Sequence, residues 1–386
     1  MQFFRWVPIA RYPVIAIAVV FGSVDGLAVP AGATPSWSFQ PSPRPPGELV
    51  SSLNDVVCLT ARNCVTVGSY LSSPAGGFES EHTLVERWDG KRWSIVPSPS
   101  TRIFSLLSAV SCPAPGFCMA VGWKAGGALA ETWNGARWSV VPTVNRPHQA
   151  DVFLDAVSCR TSKDCFAVGS YFGGVGQYTQ VEHWDGKRYS LVPSPNVPPR
   201  SNPGNDLFGI SCTTGNTCIA VGSTGSTTGP LAERWDGSRW TVMPSAAGSK
   251  AGSVLRAVRC TSSTNCWAVG HTSTDKSLIE RWDGTTWTIV RSPNRSQHNA
   301  LLAVKCLTAS NCVAVGGQSS TRLSFGTRLI EHWNGTTWAI VASPGPASTS
   351  DSYLSGVSCP TTATCMAVGR YNDHGLRKSF VERYGR

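Results

Sequence analysis

The sequence predicts an all-β fold: a seven-bladed β-propeller of four-stranded blades, closed by its own N-terminal strand and carrying one disulfide per blade. Three observations lead there. The 14 cysteines fall into seven pairs of identical spacing, C-x5-C, with none left over. Each pair sits in the same succession of four strand-length apolar runs, recurring every 46 to 54 residues. The last succession lacks its fourth run, and a matching run stands at the other end of the chain. A period of this size with four short strands per unit is the signature of a propeller.

The chain opens with a segment that reads as a secretory signal over residues 1–33. Arg5 and Arg11 give a positive start, Pro13 to Phe21 is apolar, and Ala31-Gly-Ala33 supplies small residues for cleavage after Ala33. The apolar run is shorter than the roughly 20 residues of a spanning helix. Cleavage removes Arg5, Arg11 and Asp25 and takes the net charge from +10 to +9. The mature domain is then 34–386, with no further segment apolar enough to span a bilayer. Only 15% of the chain is charged, and 38 glycines and 26 prolines argue against long helices.

Within each repeat, strand A enters the first cysteine, as in Leu107-Ser-Ala-Val-Ser-Cys112. Five turn-forming residues follow. Strand B runs from the second cysteine to a Val-Gly, as in Cys118-Met-Ala-Val-Gly122. Strand C is Leu84-Val-Glu-Arg-Trp88 in the first repeat, and strand D opens at Trp93 after an Asp-Gly turn. The expected bridges each cross one hairpin: Cys58 with Cys64, Cys112 with Cys118, Cys159 with Cys165, Cys212 with Cys218, Cys260 with Cys266, Cys306 with Cys312, and Cys359 with Cys365. A signal peptide implies an oxidising compartment where they persist. Zinc sites favour C-x2-4-C pairs combined in fours, so no metal is expected. The final repeat stops at Phe380-Val-Glu-Arg-Tyr-Gly385. Trp37-Ser-Phe-Gln-Pro41 matches Trp93-Ser-Ile-Val-Pro97, so 34–43 is expected to supply the outer strand of the blade formed by 350–386.

Residues that repeat are read as scaffold. Twelve of the 15 tryptophans occupy two positions, at the end of strand C and the start of strand D. Glu86, Glu131, Glu182, Glu233, Glu280, Glu331 and Glu382 recur once per blade. They are expected to be satisfied by backbone or a neighbouring arginine, because catalysis needs unlike groups in one place.

The string ERWDGKRWSIVPSP resembles the strand–turn–strand segment of the kelch repeat, and the repeat length agrees. The chain is also similar to secreted bacterial propeller proteins with cysteine-bearing repeats. The resemblance covers 34–386 and implies the propeller fold. The double glycine that ends kelch strand B is single here, except at Gly316-Gly317. No catalytic residue of kelch-type oxidases or of sialidases can be placed on this chain.

Function is expected on the face of the disc that carries the B–C loops and D–A crossovers, because these vary while the A–B and C–D turns are uniform. The candidate ligand-binding residues there are Trp123, Arg146, His148, Arg200, Arg295, His298, Arg322 and Arg328. The reading is a secreted binding or interaction propeller, more a binder than an enzyme, monomeric and without a cofactor. Its expected partner is an anionic glycan, a cell-wall polymer or a protein, in keeping with the positive charge. No nucleic-acid motif is present. The rival readings are a secreted carbohydrate-active enzyme, hydrolase or lyase, with its site near the central channel, and a structural envelope protein.

Overall fold

A computed structural model describes residues 35–385 apart from 74–78, 100–103, 145–150, 175, 198–203, 226–228, 249, 322–325 and 347–350. The segment read as a signal, 1–33, lies outside the described residues. The described chain forms seven four-stranded antiparallel sheets and no helix. None of it is a helix long and apolar enough to cross a membrane.

In blade 1 the strands are A, Glu48–Thr60; B, Asn63–Ser72; C, Ser80–Trp88; and D, Trp93–Ile95. The other inner strands A are Ser105–Ala114, Val152–Thr161, Asn205–Cys212, Val254–Ser262, His298–Thr308 and Ser352–Thr361. Each touches the strand A of the blades before and after it, and the seventh returns to the first. Ser36–Gln40 forms the outer strand of blade 7 on Leu376–Gly385, with Trp37 opposite Tyr384 and Phe39 opposite Glu382. The ends of the chain thus close one sheet, which hides the edge an open ring would present.

All seven cysteine pairs are bridged as the spacing predicts. Cys58 is joined to Cys64, Cys112 to Cys118, Cys159 to Cys165 and Cys212 to Cys218. Cys260 is joined to Cys266, Cys306 to Cys312 and Cys359 to Cys365, and no cysteine is free. Both partners of each bridge belong to one blade, the first at the end of strand A and the second at the start of strand B. The bridges suit an oxidising compartment.

Apolar residues pack between neighbouring blades. Leu53, Val56, Leu84 and Trp88 of blade 1 form one cluster with Met366, Val368 and Val381 of blade 7. The Val-Gly at the end of strand B has a local cause. Strand A carries a bulge between Leu53 and Asp55, directly opposite Gly68. A Cβ on Gly68 would fall 2.0 Å from the Ser52 carbonyl oxygen, so only glycine fits. The tryptophans pair across the C–D turn, with Trp88 and Trp93 ring centroids 5.6 Å apart. The Trp88 indole N–H donates to the Ala61 carbonyl and ties that turn to the A–B turn. In the C–D turn the Asp89 carboxylate accepts from the Lys91 and Arg92 amides.

The seven repeated glutamates are wholly buried. Six of them accept a hydrogen bond from a serine just past strand D of the preceding blade. Ser42 donates to Glu86 at 2.6 Å, Ser98 to Glu131 at 2.7 Å and Ser194 to Glu233 at 2.7 Å. Ser245, Ser292 and Ser343 serve Glu280, Glu331 and Glu382 in the same way. In blade 2 the exit reads Pro142-Thr143-Val144, and Glu182 takes the Val144 amide and the Gln180 amide instead. The glutamates are therefore inter-blade clasps. Backbone is a partner as expected, an arginine, Arg328, approaches Glu382 at 3.6 Å, and the serine was unforeseen. Burial pushes Glu86 and Glu233 up to about 8 and Glu131 and Glu331 to about 7, against the serine hydrogen bonds.

Candidate functional site

The inner strands build the channel wall in register. A fully buried leucine opens each set: Leu53, Leu107, Leu154, Leu207, Leu255, Leu301 and Leu354. Four positions later, just before the first cysteine, stand Val57, Ser111, Ser158, Ser211, Arg259, Lys305 and Ser358. The serines have one structural job. Ser111 accepts from the Cys159 amide at 3.0 Å, Ser158 from Cys212 at 3.0 Å, Ser211 from Cys260 at 3.0 Å and Ser358 from Cys58 at 2.9 Å. Each hydroxyl thus joins one blade to the next. Arg259 and Lys305 have no acceptor and cannot replace it.

The inner strands surround an axial cavity of about 390 Å3. That volume is in the range of small-ligand sites. Its charged lining is unlike from blade to blade: Asp55 from blade 1, Asp155 from blade 3, Arg256 and Arg259 from blade 5 and Lys305 from blade 6. Ser111, Ser158 and Ser358 also face it.

Asp55 is held as part of the wall. Its carboxylate accepts from the Val56 amide at 2.8 Å and, across the blade junction, from the Val110 amide at 2.9 Å. Burial nevertheless pushes it up to about 6, opposed by those amides and by Lys305. Asp155 and Asp206 are neighbours, and burial first, then their mutual repulsion, raises Asp155; Asp206 is raised by burial. Arg256 opposes both shifts and lies 4.4 Å from the Phe208 ring centroid. Burial, and then the neighbouring Arg259, bring Lys305 down to about 7, against the attraction of Asp55. Burial alone lowers Arg259, whose Nε is buried with no hydrogen-bond partner among the described residues.

The loop-face residues singled out from the sequence are dispersed. Arg146, His148, Arg200 and Arg322 lie outside the described residues. Trp123 stands one residue before the end of strand B of blade 2 (Phe117–Lys124) and stacks on Phe153 of blade 3 at 5.8 Å, with Phe172 edge-on to Phe153 at 6.3 Å. Arg295 is exposed in the crossover into blade 6. His298 opens strand A of that blade and pairs with Asp275 at 3.0 Å. Arg328 is committed to the junction of blades 6 and 7, donating to Ser343 and Ser352, with Glu382 at 3.6 Å. No hydrogen bond or ring contact joins any two of these described candidates.

The residues that do converge, Asp55, Asp155, Arg256, Arg259 and Lys305, were not singled out from the sequence. A signal for two of them was present. In the aligned column before the first cysteine, serine stands in four blades, and Arg259 and Lys305 break that run side by side.

No family model matches the chain, and no curated protein matches it. Solved structures do. A YCF48 bound to a D1 peptide is 13% identical with a TM-score of 0.58, covering 91% of this chain and 95% of that one. YCF48 from Cyanidioschyzon merolae is 11% identical with a TM-score of 0.53, covering 91% and 98%. Chaetomium thermophilum Sqt1 bound to the N-terminus of ribosomal protein L10 is 11% identical with a TM-score of 0.50, covering 88% and 98%. At these identities the likeness is one of fold, and the chain is a seven-bladed β-propeller.

Proposed function

We propose that this chain is a secreted binding propeller that recognises an anionic segment of an extracellular or envelope polymer or protein. One observation carries the reading: residues that break the sevenfold repeat, with unlike charges, converge on the channel cavity, while the repeated tryptophans and glutamates are spent on holding blades together. Binding residues on a rigid repeat scaffold are expected where the repeat is broken. Two of the structural neighbours are described with a peptide and with a protein N-terminus bound, which makes a protein segment the first class to test. The seven bridges support export, and the kelch-like strand–turn–strand segment remains a matter of resemblance. Probing the purified protein against peptide and glycan arrays at fixed ionic strength tests the reading. Selective retention of acidic members is the expected result, and uniform non-binding across both arrays would overturn it.

A second reading, a secreted carbohydrate-active enzyme, draws on the raised carboxyls of Asp155 and Asp206 beside Arg256. Asp155→Asn separates the two. In an enzyme it abolishes turnover of whichever glycan the array identifies. In a binding module it alters affinity alone, with no product formed by the parent protein.

A further inference from the structure

We infer that the channel wall formed by Arg259 and Lys305 is a carboxylate-binding site, serving a free carboxylic acid or an acidic side chain of an inserted segment. The inference rests on the binding reading above and names the group that the channel takes.

The argument starts from what these residues displace. Serine at this level accepts the next blade's cysteine amide in four of the seven blades. Arg259 and Lys305 forgo that bond at two consecutive junctions, 5 to 6 and 6 to 7. They also place two cations together in a half-buried setting, where Arg259 disfavours the charge on Lys305. A scaffold role is poorly served by this exchange, since buried charges without partners destabilise. Among the described residues no carboxylate pairs with Arg259. Among the described residues Asp55 is the one acid that acts on Lys305; it makes no ion pair with it, and each of its oxygens accepts a backbone amide, from Val56 and from Val110.

Both cations line the cavity of about 390 Å3, and the same level of the ring offers more donors. The hydroxyls of Ser111, Ser158 and Ser358 accept from backbone amides, so each keeps its own proton to give. A carboxylate entering here meets the planar fork of an arginine, an ammonium and hydroxyl donors. The guanidinium fork matches a carboxylate in two parallel hydrogen bonds, which favours that planar group over a tetrahedral anion. Each junction lies next to the A–B turns, because the residues concerned directly precede the first cysteine of the hairpin. The site therefore lies at the end of the inner strands nearer to the uniform turn face than to the loops favoured by the sequence.

The experiment uses the purified, fully bridged protein and the double variant that combines Arg259→Ser with Lys305→Ser. Thermal melting is followed with sodium glutamate, a poly-glutamate peptide, sulfate and chloride at equal ionic strength. The parent protein is expected to melt higher in glutamate or poly-glutamate than in chloride or sulfate. Response to the free acid identifies a small ligand, and response to the peptide alone identifies an inserted segment. The variant restores the serine found in four of the other five blades, so it should melt at or above the parent protein in chloride. It should bind the responding probe roughly thirtyfold or more weakly, as when a buried charge partner is removed. A variant that melts well below the parent, or equal shifts with all four salts, overturns the site. If the variant does not fold, reductive methylation of Lys305 in the parent protein decides: protection by the carboxylate supports the site, and unchanged reactivity overturns it. An array partner whose binding is untouched by the double substitution would sink this inference and leave the binding reading standing. Glutamate binding with no macromolecular partner would do the reverse.

Discussion

The Ser158 hydroxyl accepts a hydrogen bond from the amide of Cys212, 3.0 Å away in the next blade. A neutral bond of this kind contributes about 1 kcal/mol, and more is lost when a buried amide is left unpaired. Ser158→Ala should therefore lower unfolding stability by about 1–2 kcal/mol, read from urea denaturation. An unchanged denaturation midpoint would show that the junction does not depend on this bond.

Ring closure rests on Trp37, which is 9% exposed, pairs in register with Tyr384 and lies 5.6 Å from its ring. Trp37→Ala should cost about 3 kcal/mol, the low end for emptying a buried aromatic site. Deleting residues 35–43 should cost more, because Ser42 leaves Glu86 as well, and should promote oligomers through the bared edge of blade 7. Melting temperature and size-exclusion elution check both, and a monomeric deletion variant melting like the parent would refute closure.

Fold and site differed in how far the sequence revealed them. Cysteine spacing, the Val-Gly ending and the orphan Trp37 run each report a local geometry repeated seven times, so their pattern stands out. The Ser42–Glu86 clasp was half visible: the glutamate repeats, but its partner lies 44 residues earlier in the preceding blade. Arg259 and Lys305 were harder still. Their meaning lies in departing from a serine column whose role appears only once Cys260 and Ser211 are seen across a blade junction. Variable loops drew attention because they vary, whereas the channel wall gathers single residues from strands about 50 residues apart.

The bridges give a covalent prediction. Peptide mapping without reduction should recover seven links, each within one C-x5-C pair, for example Cys260 with Cys266. Replacing Cys260 and Cys266 by serine should cost roughly 2 kcal/mol, since a small loop loses its closure constraint. Links between blades, or free thiols at several pairs, would contradict the hairpin arrangement.

Acidity should matter to stability in an unusual direction. Glu86 and Glu233 titrate at about 8 in the fold, and Glu131 and Glu331 at about 7, all above the ordinary 4.5. The folded chain therefore holds protons that the unfolded chain releases. Their contribution is complete below about pH 4.5 and is lost as pH rises through 7 to 8, with each group adding a slope of up to about 1.4 kcal/mol per pH unit. Asp55, at about 6, acts in the same sense. Lys305, lowered to about 7, acts in the opposite sense between 7 and its ordinary 10.5. Asp155, Asp206 and Glu382 are raised as well, so eight raised carboxyls outweigh the lowered Lys305, His271 and His332, and melting temperature should fall between pH 6 and pH 8. Glu86→Gln should flatten that fall, and a melting temperature rising over the interval would count against buried, protonated clasps.

Arg328 and Arg295 both sit among the loop-face candidates, yet they should behave differently. The Arg328 guanidinium donates to Ser352 at 2.7 Å and to Ser343 at 3.2 Å, and Glu382 lies 3.6 Å away with none of its surface exposed. Among the described residues, removing the cation leaves that carboxyl with Ser343 and the Gly345 amide. Arg328→Ala should thus destabilise the junction of blades 6 and 7 by about 2–3 kcal/mol, between a charged hydrogen bond and a fully buried ion pair. Arg295 is exposed, so Arg295→Ala should leave stability within about 0.5 kcal/mol of the parent. If anionic partners approach from the loops, Arg295→Ala should slow their association and weaken its salt dependence, as rim charges do. Denaturation and binding kinetics on the two single variants decide the matter. A stable Arg328→Ala protein with lost affinity would return Arg328 to the binding surface and make the junction contacts incidental.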